Sequence, residues 1–192
     1  PDAISAAYVG GTVLVDDGTY QTGGSAVFGL MTNRVVVNRP VILKSRNGPS
    51  VTTIVGRQEP GTLIGTGAVR CVYMGSDAVL DGFTLTGGAT VDTGDWFKEL
   101  SGGGVWCESA GAIITNCVIR GNIAYANAGG VYRGTLVNCL IVSNTVVNYG
   151  GGAVGSVLYS CSVVYNISSN NAGGCGGSTL YDCLIAGNSA AS

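Results

Sequence analysis

Side chains suited to binding chemistry are concentrated in residues 89–101 (ATVDTGDWFKELS). Three of them are acidic and one is an indole, in the set Asp92, Asp95, Trp96 and Glu99. Carboxylate oxygens are the ligands that calcium prefers, although this spacing matches no calcium-loop motif. An exposed indole ring would instead offer a stacking surface to a sugar. The segment is a candidate sugar-binding or calcium-binding loop, and the alternative is an insertion whose aromatic rings fold back over the neighbouring chain.

A second candidate surface is the pair Tyr159 and Tyr181, which stand one repeat apart (181 − 159 = 22). If both side chains face outward from successive strands, the rings form an exterior aromatic pair suited to carbohydrate. The structural alternative is simple packing, because β-strands favour tyrosine in any case.

Catalytic chemistry finds little support in the rest of the chain. There is no histidine, which is the commonest general base. Glycoside hydrolysis needs two carboxylates that face each other across the scissile bond, yet residues 112–192 contain one acid, Asp182. We therefore assign no catalytic residue, and we expect no metal or cofactor apart from the calcium alternative.

Composition and charge exclude further classes of function. The net charge is −2 and charged residues make up 10% of the chain, without a basic patch. Binding to nucleic acid by neutralisation of phosphates is therefore not expected. No run of 18 apolar residues occurs, so no membrane-spanning helix is expected either.

The elements that must position these residues follow a fixed period. Three kinds of residue recur every 22 positions, for example from 117 to 139 (139 − 117 = 22). They are the cysteines Cys117, Cys139, Cys161 and Cys183, the asparagines Asn122, Asn144, Asn166 and Asn188, and glycine pairs at 129–130, 151–152 and 173–174. A fixed period of this length indicates a solenoid built from stacked repeats.

The repeat predicts an all-β parallel β-helix with about 22 residues per coil. Short runs of Val, Ile and Leu alternate with Gly, Asn and Ser, and no 3.6-residue periodicity is present. We expect the asparagines to stack at a turn in the left-handed conformation, and the glycine pairs to form tight corners. The cysteine column predicts a buried ladder of free thiols, because stacked parallel strands give poor geometry for a disulfide or a zinc site.

The predicted organisation is one domain over residues 1–192. Residues 1–20 contain a capping helix over 2–7 and a first strand, Thr12–Val15. Residues 21–111 form irregular coils that carry the insertion 89–101, and residues 112–192 form the regular repeats. In the irregular part, strands are predicted at 34–38, 41–44 and 53–55, and two further irregular coils are predicted around 68–74 and 78–86.

The size of the insertion follows from an alignment of Gly82 with Cys117. The two are 35 residues apart (117 − 82 = 35), which is one coil plus 13 residues. A second, smaller excess is predicted near residues 108–111. The absence of a signal peptide and of a recognisable C-terminal cap suggests a segment of a longer chain.

Several stretches resemble one known class of proteins. Residues 79–88 (VLDGFTLTGG), residues 11–20 (GTVLVDDGTY) and the recurring Asn-Cys-x-Ile-x-x-Asn are similar to bacterial right-handed parallel β-helix repeat proteins of the pectin-lyase-like superfold. The resemblance covers essentially the whole chain and implies a right-handed solenoid with an N-terminal capping helix. The superfold hosts lyases, hydrolases, adhesins and stalks, and its catalytic residues find no matching positions here.

Three functions are compatible with these features. The first is a non-catalytic stalk or adhesin segment of a bacterial surface or secreted protein, with a carbohydrate or cell-surface partner. The second is a polysaccharide lyase or glycoside hydrolase with residues 89–101 beside its site. The third is a fibre subunit that associates end to end through open coil ends. All three imply an extracellular or cell-surface location.

Overall fold

Short apolar runs broken by Gly, Asn and Ser form 25 strands in the computed structural model, which describes residues 2–191. The two ends of the predicted domain, Pro1 and Ser192, lie outside the described residues. The helix α1 (Asp2–Ala6) has five residues, and no helix of residues 2–191 is long and apolar enough to cross a bilayer. Nearly all regular structure is therefore β.

The strands form three seven-stranded sheets and one four-stranded sheet. The first sheet contains, in spatial order, β1 (Thr12–Val15), β5 (Ile42–Ser45), β8 (Val79–Asp81), β11 (Ile113–Thr115), β15 (Thr135–Val137), β19 (Val157–Tyr159) and β23 (Thr179–Tyr181). The second contains β2 (Gly18–Tyr20), β6 (Thr52–Val55), β9 (Thr84–Thr86), β12 (Val118–Arg120), β16 (Leu140–Val142), β20 (Ser162–Val164) and β24 (Leu184–Ala186). The third contains β3 (Ser25–Ala26), β4 (Thr32–Val37), β7 (Val69–Met74), β10 (Val105–Cys107), β14 (Val131–Tyr132), β18 (Ala153–Val154) and β22 (Cys175–Gly176). The fourth contains β13 (Ile123–Ala124), β17 (Thr145–Val146), β21 (Ile167–Ser168) and β25 (Ser189–Ala190).

Strand pairing is parallel throughout the four sheets, except between β3 and β4. In the C-terminal half the paired residues carry the repeat interval, as in Leu136 with Leu158 (158 − 136 = 22) and Ile141 with Val163 (163 − 141 = 22). Many-stranded parallel sheets of this kind are compatible with a parallel β-helix or another solenoid.

The predicted irregular coil around residues 78–86 contains two strands, β8 and β9. Gly82 stands between them with φ of 84°, a left-handed value that bends the chain and ends the first strand. The equivalent bend in the next repeat is made by Asn116, with φ of 52°.

The alignment of Gly82 with Cys117 is wrong by one residue. Asp81 pairs with Thr115 and Thr84 with Val118, so the residue opposite Cys117 is Phe83. The backbone N–H of Phe83 points at the Cys117 sulfur, 3.4 Å away. Phenylalanine fills an inward position that cysteine fills in later repeats, and sequence alignment by residue type missed this exchange.

The corrected register changes the size of the insertion. Phe83 and Cys117 are 34 residues apart, so the excess over one repeat is 12 (34 − 22 = 12). Ala89 pairs with Ile123 and Val105 with Val131, so eight extra residues lie between 89 and 105 (16 − 8 = 8). The other four lie between Val105 and Ile113 (8 − 4 = 4), next to the predicted second excess.

The hydrophobic core lies between the three long sheets. Its columns are fully buried, as for Leu80, Ile114 and Leu136 on the first sheet and Ile119 and Ile141 on the second. Full burial of a Leu or Ile side chain contributes roughly 1.5–3 kcal/mol. Each repeat therefore adds core by covering the repeat before it.

Free thiols form part of this core. All seven cysteines are free thiols, and none forms a disulfide. In the cysteine column, three are buried and one is half-buried: Cys117, Cys139 and Cys161, and then Cys183. The other three, Cys71, Cys107 and Cys175, also pack against or within the core. Burial raises the pKa of Cys117 to about 12, so it stays a neutral thiol. The contact between Cys139 and Cys161 raises the pKa of Cys139 and lowers that of Cys161.

The asparagines at 122, 144, 166 and 188 stack as a ladder of side-chain amides. Asn144 shows the pattern, because its Nδ2 donates both to the Ile119 carbonyl and to Oδ1 of Asn166, each at 2.9 Å. Its own Oδ1 accepts from Nδ2 and from the backbone N–H of Asn122, at 3.0 and 3.1 Å. Each amide thus satisfies backbone groups of a neighbouring repeat as well as the next asparagine.

The left-handed conformation expected for these asparagines belongs to the residue before each one. Gly121, Ser143, Tyr165 and Gly187 have φ of 61°, 54°, 55° and 64°. The expectation that each asparagine is itself left-handed was wrong, because the bend and the hydrogen bonding are made by two neighbouring residues. The preceding residue bends the chain, and the asparagine side chain can then point inward.

The glycine pairs are places of close approach and not positive-φ corners. A Cβ added to Gly130 would lie 3.2 Å from Nδ2 of Asn144, and one added to Gly174 would lie 2.9 Å from Nδ2 of Asn188. Gly88 and Cys71 reverse the arrangement in an earlier repeat, where a Cβ on the glycine would lie 2.8 Å from the sulfur. The space at this corner of the repeat is therefore filled by a side chain from one of two facing positions, and the other position is a glycine.

We predict that Asn144→Ala lowers the free energy of unfolding by about 3 kcal/mol, because it leaves buried donors and acceptors of two repeats without partners. Asn171→Ala is the matched control, since Asn171 is exposed; it should change stability by less than about 0.5 kcal/mol. Urea unfolding followed by circular dichroism measures both. Equal stability of the two variants would contradict a structural role for the ladder.

Candidate functional site

The insertion over residues 89–101 lies against the outer face of the third sheet. Tyr73 and Trp106 are neighbours on that face and stack with ring centroids 5.2 Å apart and planes 12° from parallel. Phe28, from the loop before β4, packs edge-on against both rings at 5.8 and 5.6 Å. The indole Nε1 of Trp106 donates to the Phe97 carbonyl at 2.7 Å, which ties the insertion to the sheet.

Two of the acidic residues predicted to bind a ligand already accept hydrogen bonds from backbone N–H groups. Oδ1 of Asp95 accepts the N–H groups of Phe97 and Lys98, each at 2.9 Å, and these bonds lower the pKa of Asp95. Glu99 is buried, and its carboxylate accepts Leu30 N–H at 2.7 Å and Asp95 N–H at 2.9 Å. The pattern resembles a capping box around one helical turn. Glu99 therefore joins the insertion to the loop before β4.

The other two predicted residues of the insertion are exposed. Asp92 is open to solvent, and Trp96 is 43% exposed with its ring edge-on to Tyr125 at 6.0 Å. The insertion is anchored by Val91 and Leu100, which are buried in a small cluster with Met31 and Ala126. No group of three or more His, Cys, Asp or Glu side chains in residues 2–191 is arranged to hold a metal ion.

Arg70 is the residue that sequence reasoning missed. Its guanidinium is 1% exposed and donates Nε to Gly102 O and Nη2 to Ser101 O, each at 2.8 Å. Two further bonds of 2.9 Å reach the Lys98 carbonyl and Oδ1 of Asn33. Burial lowers the pKa of Arg70 to about 9, partly offset by the charge of nearby acidic groups.

The sequence contains one feature that indicates a special role for Arg70. It is the only charged residue in the apolar run over 68–74 (AVRCVYM). A charge inside a buried strand requires hydrogen-bond partners, and here they are carbonyls of the insertion. Arg70 therefore acts as a structural anchor for the segment that carries Trp96.

Tyr159 and Tyr181 are brought together on the outer face of the first sheet. They are paired residues on β19 and β23, and their rings stack with centroids 4.8 Å apart and planes 8° from parallel. They are 41% and 48% exposed. The pair forms a flat aromatic surface on the outside of the stack.

A polar column lies on the same side of the chain. Nζ of Lys44 contacts Oδ2 of Asp81 at 2.6 Å, and Nδ2 of Asn116 donates to Oδ1 of Asp81 at 2.8 Å. Asn138 in turn donates to Asn116 at 2.8 Å. Burial alone would raise the pKa of Asp81, but these hydrogen bonds lower it. Asp81 is thus held as a carboxylate and is unsuited to be a general acid.

Glu108 is also engaged within the structure. Its carboxylate accepts the hydroxyl of Tyr73 and, at 3.1 Å, the backbone N–H of Ser76. Burial is the larger cause that raises the pKa of Tyr73, and the hydrogen bond to Glu108 raises it further. This carboxylate stabilises the start of the second small loop.

Comparison of the chain with models of known protein families, with curated proteins and with solved structures found no match.

We predict that Arg70→Met loosens the insertion without dissolving the sheets. Loss of hydrogen bonds from a charged donor costs roughly 1.5–3 kcal/mol, so cleavage by trypsin after Lys98 should accelerate about tenfold or more. Arg120→Met, on the exposed face of β12, is the matched control. Cleavage after Lys44, inside β5 and between β1 and β8, reports on opening of the sheets and should stay slow in both variants. An unchanged rate after Lys98 would show that Arg70 does not hold the insertion.

Proposed function

We propose that this chain is a non-catalytic structural segment of a bacterial surface or secreted protein, folded as a right-handed parallel β-helix of the pectin-lyase-like superfold with about 22 residues per coil in residues 112–192. The observation that supports it is the asparagine ladder from Asn122 to Asn188, buried from Asn122 to Asn166, which joins successive repeats through side-chain amides. A regular polar ladder inside the core favours a rigid rod over an adaptable pocket.

The acidic side chains support the same proposal. Asp81, Asp95, Glu99 and Glu108 each accept hydrogen bonds from nearby residues of the chain. Hydrolysis of a glycoside requires one protonated and one ionised carboxyl group that face a substrate. These four carboxylates are instead used to hold loops and columns in place.

Contact with glycans fits this role as a property of the rod surface. The stacked rings of Tyr159 and Tyr181 offer a flat, partly exposed face, and Trp96 offers a second partly exposed ring. Both lie on rigid strands or on an anchored loop. A carbohydrate of the cell surface is the partner that such neutral aromatic surfaces suit.

The test is an incubation of the protein with pectate, alginate, xylan and chitin, with and without calcium. We expect neither new reducing ends nor the ultraviolet absorbance of unsaturated uronates above the level of heat-denatured protein. Product formation that Asp81→Asn or Glu99→Gln abolishes would overturn the proposal in favour of a lyase or hydrolase.

We propose end-to-end association as a second candidate function, with Leu180 and Ile185 as contact residues. Leu180 and Ile185 stand in the core columns above Leu158 and Val163, which are fully buried. Leu180 is nevertheless 39% exposed and Ile185 44% exposed.

The backbone of the same repeat has an open edge. Leu184 donates to the Cys161 carbonyl, and the Ala186 carbonyl accepts from Tyr165 N–H. In a parallel sheet alternate residues bond to opposite neighbours, so the N–H of Ile185 points away from β20. Another strand can pair there, either from further repeats or from a second copy.

We predict that Ile185→Pro abolishes any growth of the particles with concentration, because proline removes the edge N–H. Static light scattering across a concentration series measures it. Leu184→Ser is the matched control, since it trims the outer face of the same strand without removing an N–H donor. Association lost in Leu184→Ser but kept in Ile185→Pro would locate the contact on the sheet face and contradict edge pairing.

A further inference from the structure

A cavity of about 420 Å³ lies at the N-terminal end of the core. Its walls are mostly apolar and include Ile4 of α1, Val13, Val35, Leu43 and Phe83. Ligand pockets commonly have volumes of roughly 300–1,000 Å³ and apolar walls with a few polar groups. The cavity has the size and the lining of a small-molecule site.

The cavity continues the interior of the repeats. Val13 pairs with Leu43, and Leu43 pairs with Leu80, which is fully buried. Val13 and Val35 belong to the core-facing side but are only partly buried. Ile4 of the short helix α1 covers part of this end, and the remaining apolar wall faces the cavity.

Arg34 places a positive charge at the edge of this apolar space. It precedes Val35, and the equivalent residue of the next repeat is Cys71, in the corner that the asparagine ladder fills later. Its Nε donates to the Val55 carbonyl at 2.8 Å, and its Nη2 donates to the Gly56 carbonyl at 3.4 Å. These bonds fix the plane of the guanidinium, and Arg34 is one of the residues that line the cavity.

Part of the guanidinium remains available to a ligand. A guanidinium has five N–H donors, and Arg34 uses one more on the Gly23 carbonyl, which leaves two. Within residues 2–191 the ion pairs are Lys44 with Asp81 and Arg46 with Asp16, so the charge of Arg34 is not paired with a carboxylate. Asp16 lines the cavity, but its Oδ1 accepts from Arg46 at 2.7 Å.

These features define the chemistry of a ligand. An apolar wall favours a hydrocarbon chain, at roughly 25 cal/mol for each Å² removed from water. A planar fork with two free donors matches a carboxylate, and a single cation matches a single negative charge. We infer that the cavity binds an amphipathic monocarboxylate, with its head on Arg34 and its chain along Val13, Leu43 and Ile54.

The test compares decanoate with decanol, both below their aggregation limits, by isothermal titration calorimetry on the whole protein. Decanoate should bind at one saturable site, and more tightly than decanol. Arg34→Met should weaken decanoate binding about 10-fold to 100-fold, because it removes a charge-assisted hydrogen bond. It should leave the binding of decanol nearly unchanged.

Two further variants complete the design. Val13→Phe should weaken both ligands, because the larger side chain fills the cavity from its wall. Arg120→Met, which removes an exposed arginine from β12, should bind decanoate like the wild type. The inference is overturned if the wild type does not bind decanoate, or if Val13→Phe leaves binding intact. If Arg34→Met fails to fold, the wild-type preference for decanoate over decanol and the Val13→Phe result decide the question.

Discussion

The structure depends on one buried corner in each regular repeat, where an inward asparagine faces a glycine. The bend before the asparagine would leave backbone groups unsatisfied inside the protein, and the side-chain amide supplies their partners. The amide fits only because the facing residue lacks a Cβ, as Gly130 does opposite Asn144. The two positions are therefore coupled, and a change in either one disturbs hydrogen bonds in two repeats. Cys71 and Gly88 meet the same constraint with the large and small residues exchanged.

A stack with this internal register tolerates large variation between its strands. The residues opposite each other in β9 and β12 are 34 positions apart, yet Thr84 and Val118 pair as regularly as residues 22 positions apart do elsewhere. The extra residues leave the stack at its corners, where they do not interrupt a ladder. Longer loops cost only a little more closure entropy, which the contacts of Arg70, Val91 and Leu100 can offset. The insertion thus becomes an anchored extension of the third sheet.

The scarcity of charge shapes what the surface can do. The ionised side chains that the structure draws together, such as Asp81 with Lys44 and Glu99 with backbone amides, stabilise loops and columns. Two further features of the structure are largely neutral, namely the stacked tyrosines and the apolar cavity at the N-terminal end of the core. Arg34 differs from Lys44 and Arg46 because its charge lies beside an apolar space and is not paired with an acid.

The sequence by itself indicated the repeat interval, the approximate positions of several strands and the placement of Tyr159 and Tyr181 one repeat apart. A fixed period predicts which residues of successive repeats pair with each other, because stacking gives equivalent residues the same environment in each repeat. The tertiary structure decided how the period fails: Phe83 stands opposite Cys117, the excess is 12 residues and not 13, and Arg70 and Glu99 are buried. It also decided that glycines serve close approach and that the residue before each asparagine makes the bend. The exceptions to the period come from contacts between distant segments that occur once, so no periodic pattern records them. The roles of the glycines and of the residue before each asparagine recur at the repeat interval, but they depend on contacts between repeats that residue types alone do not specify.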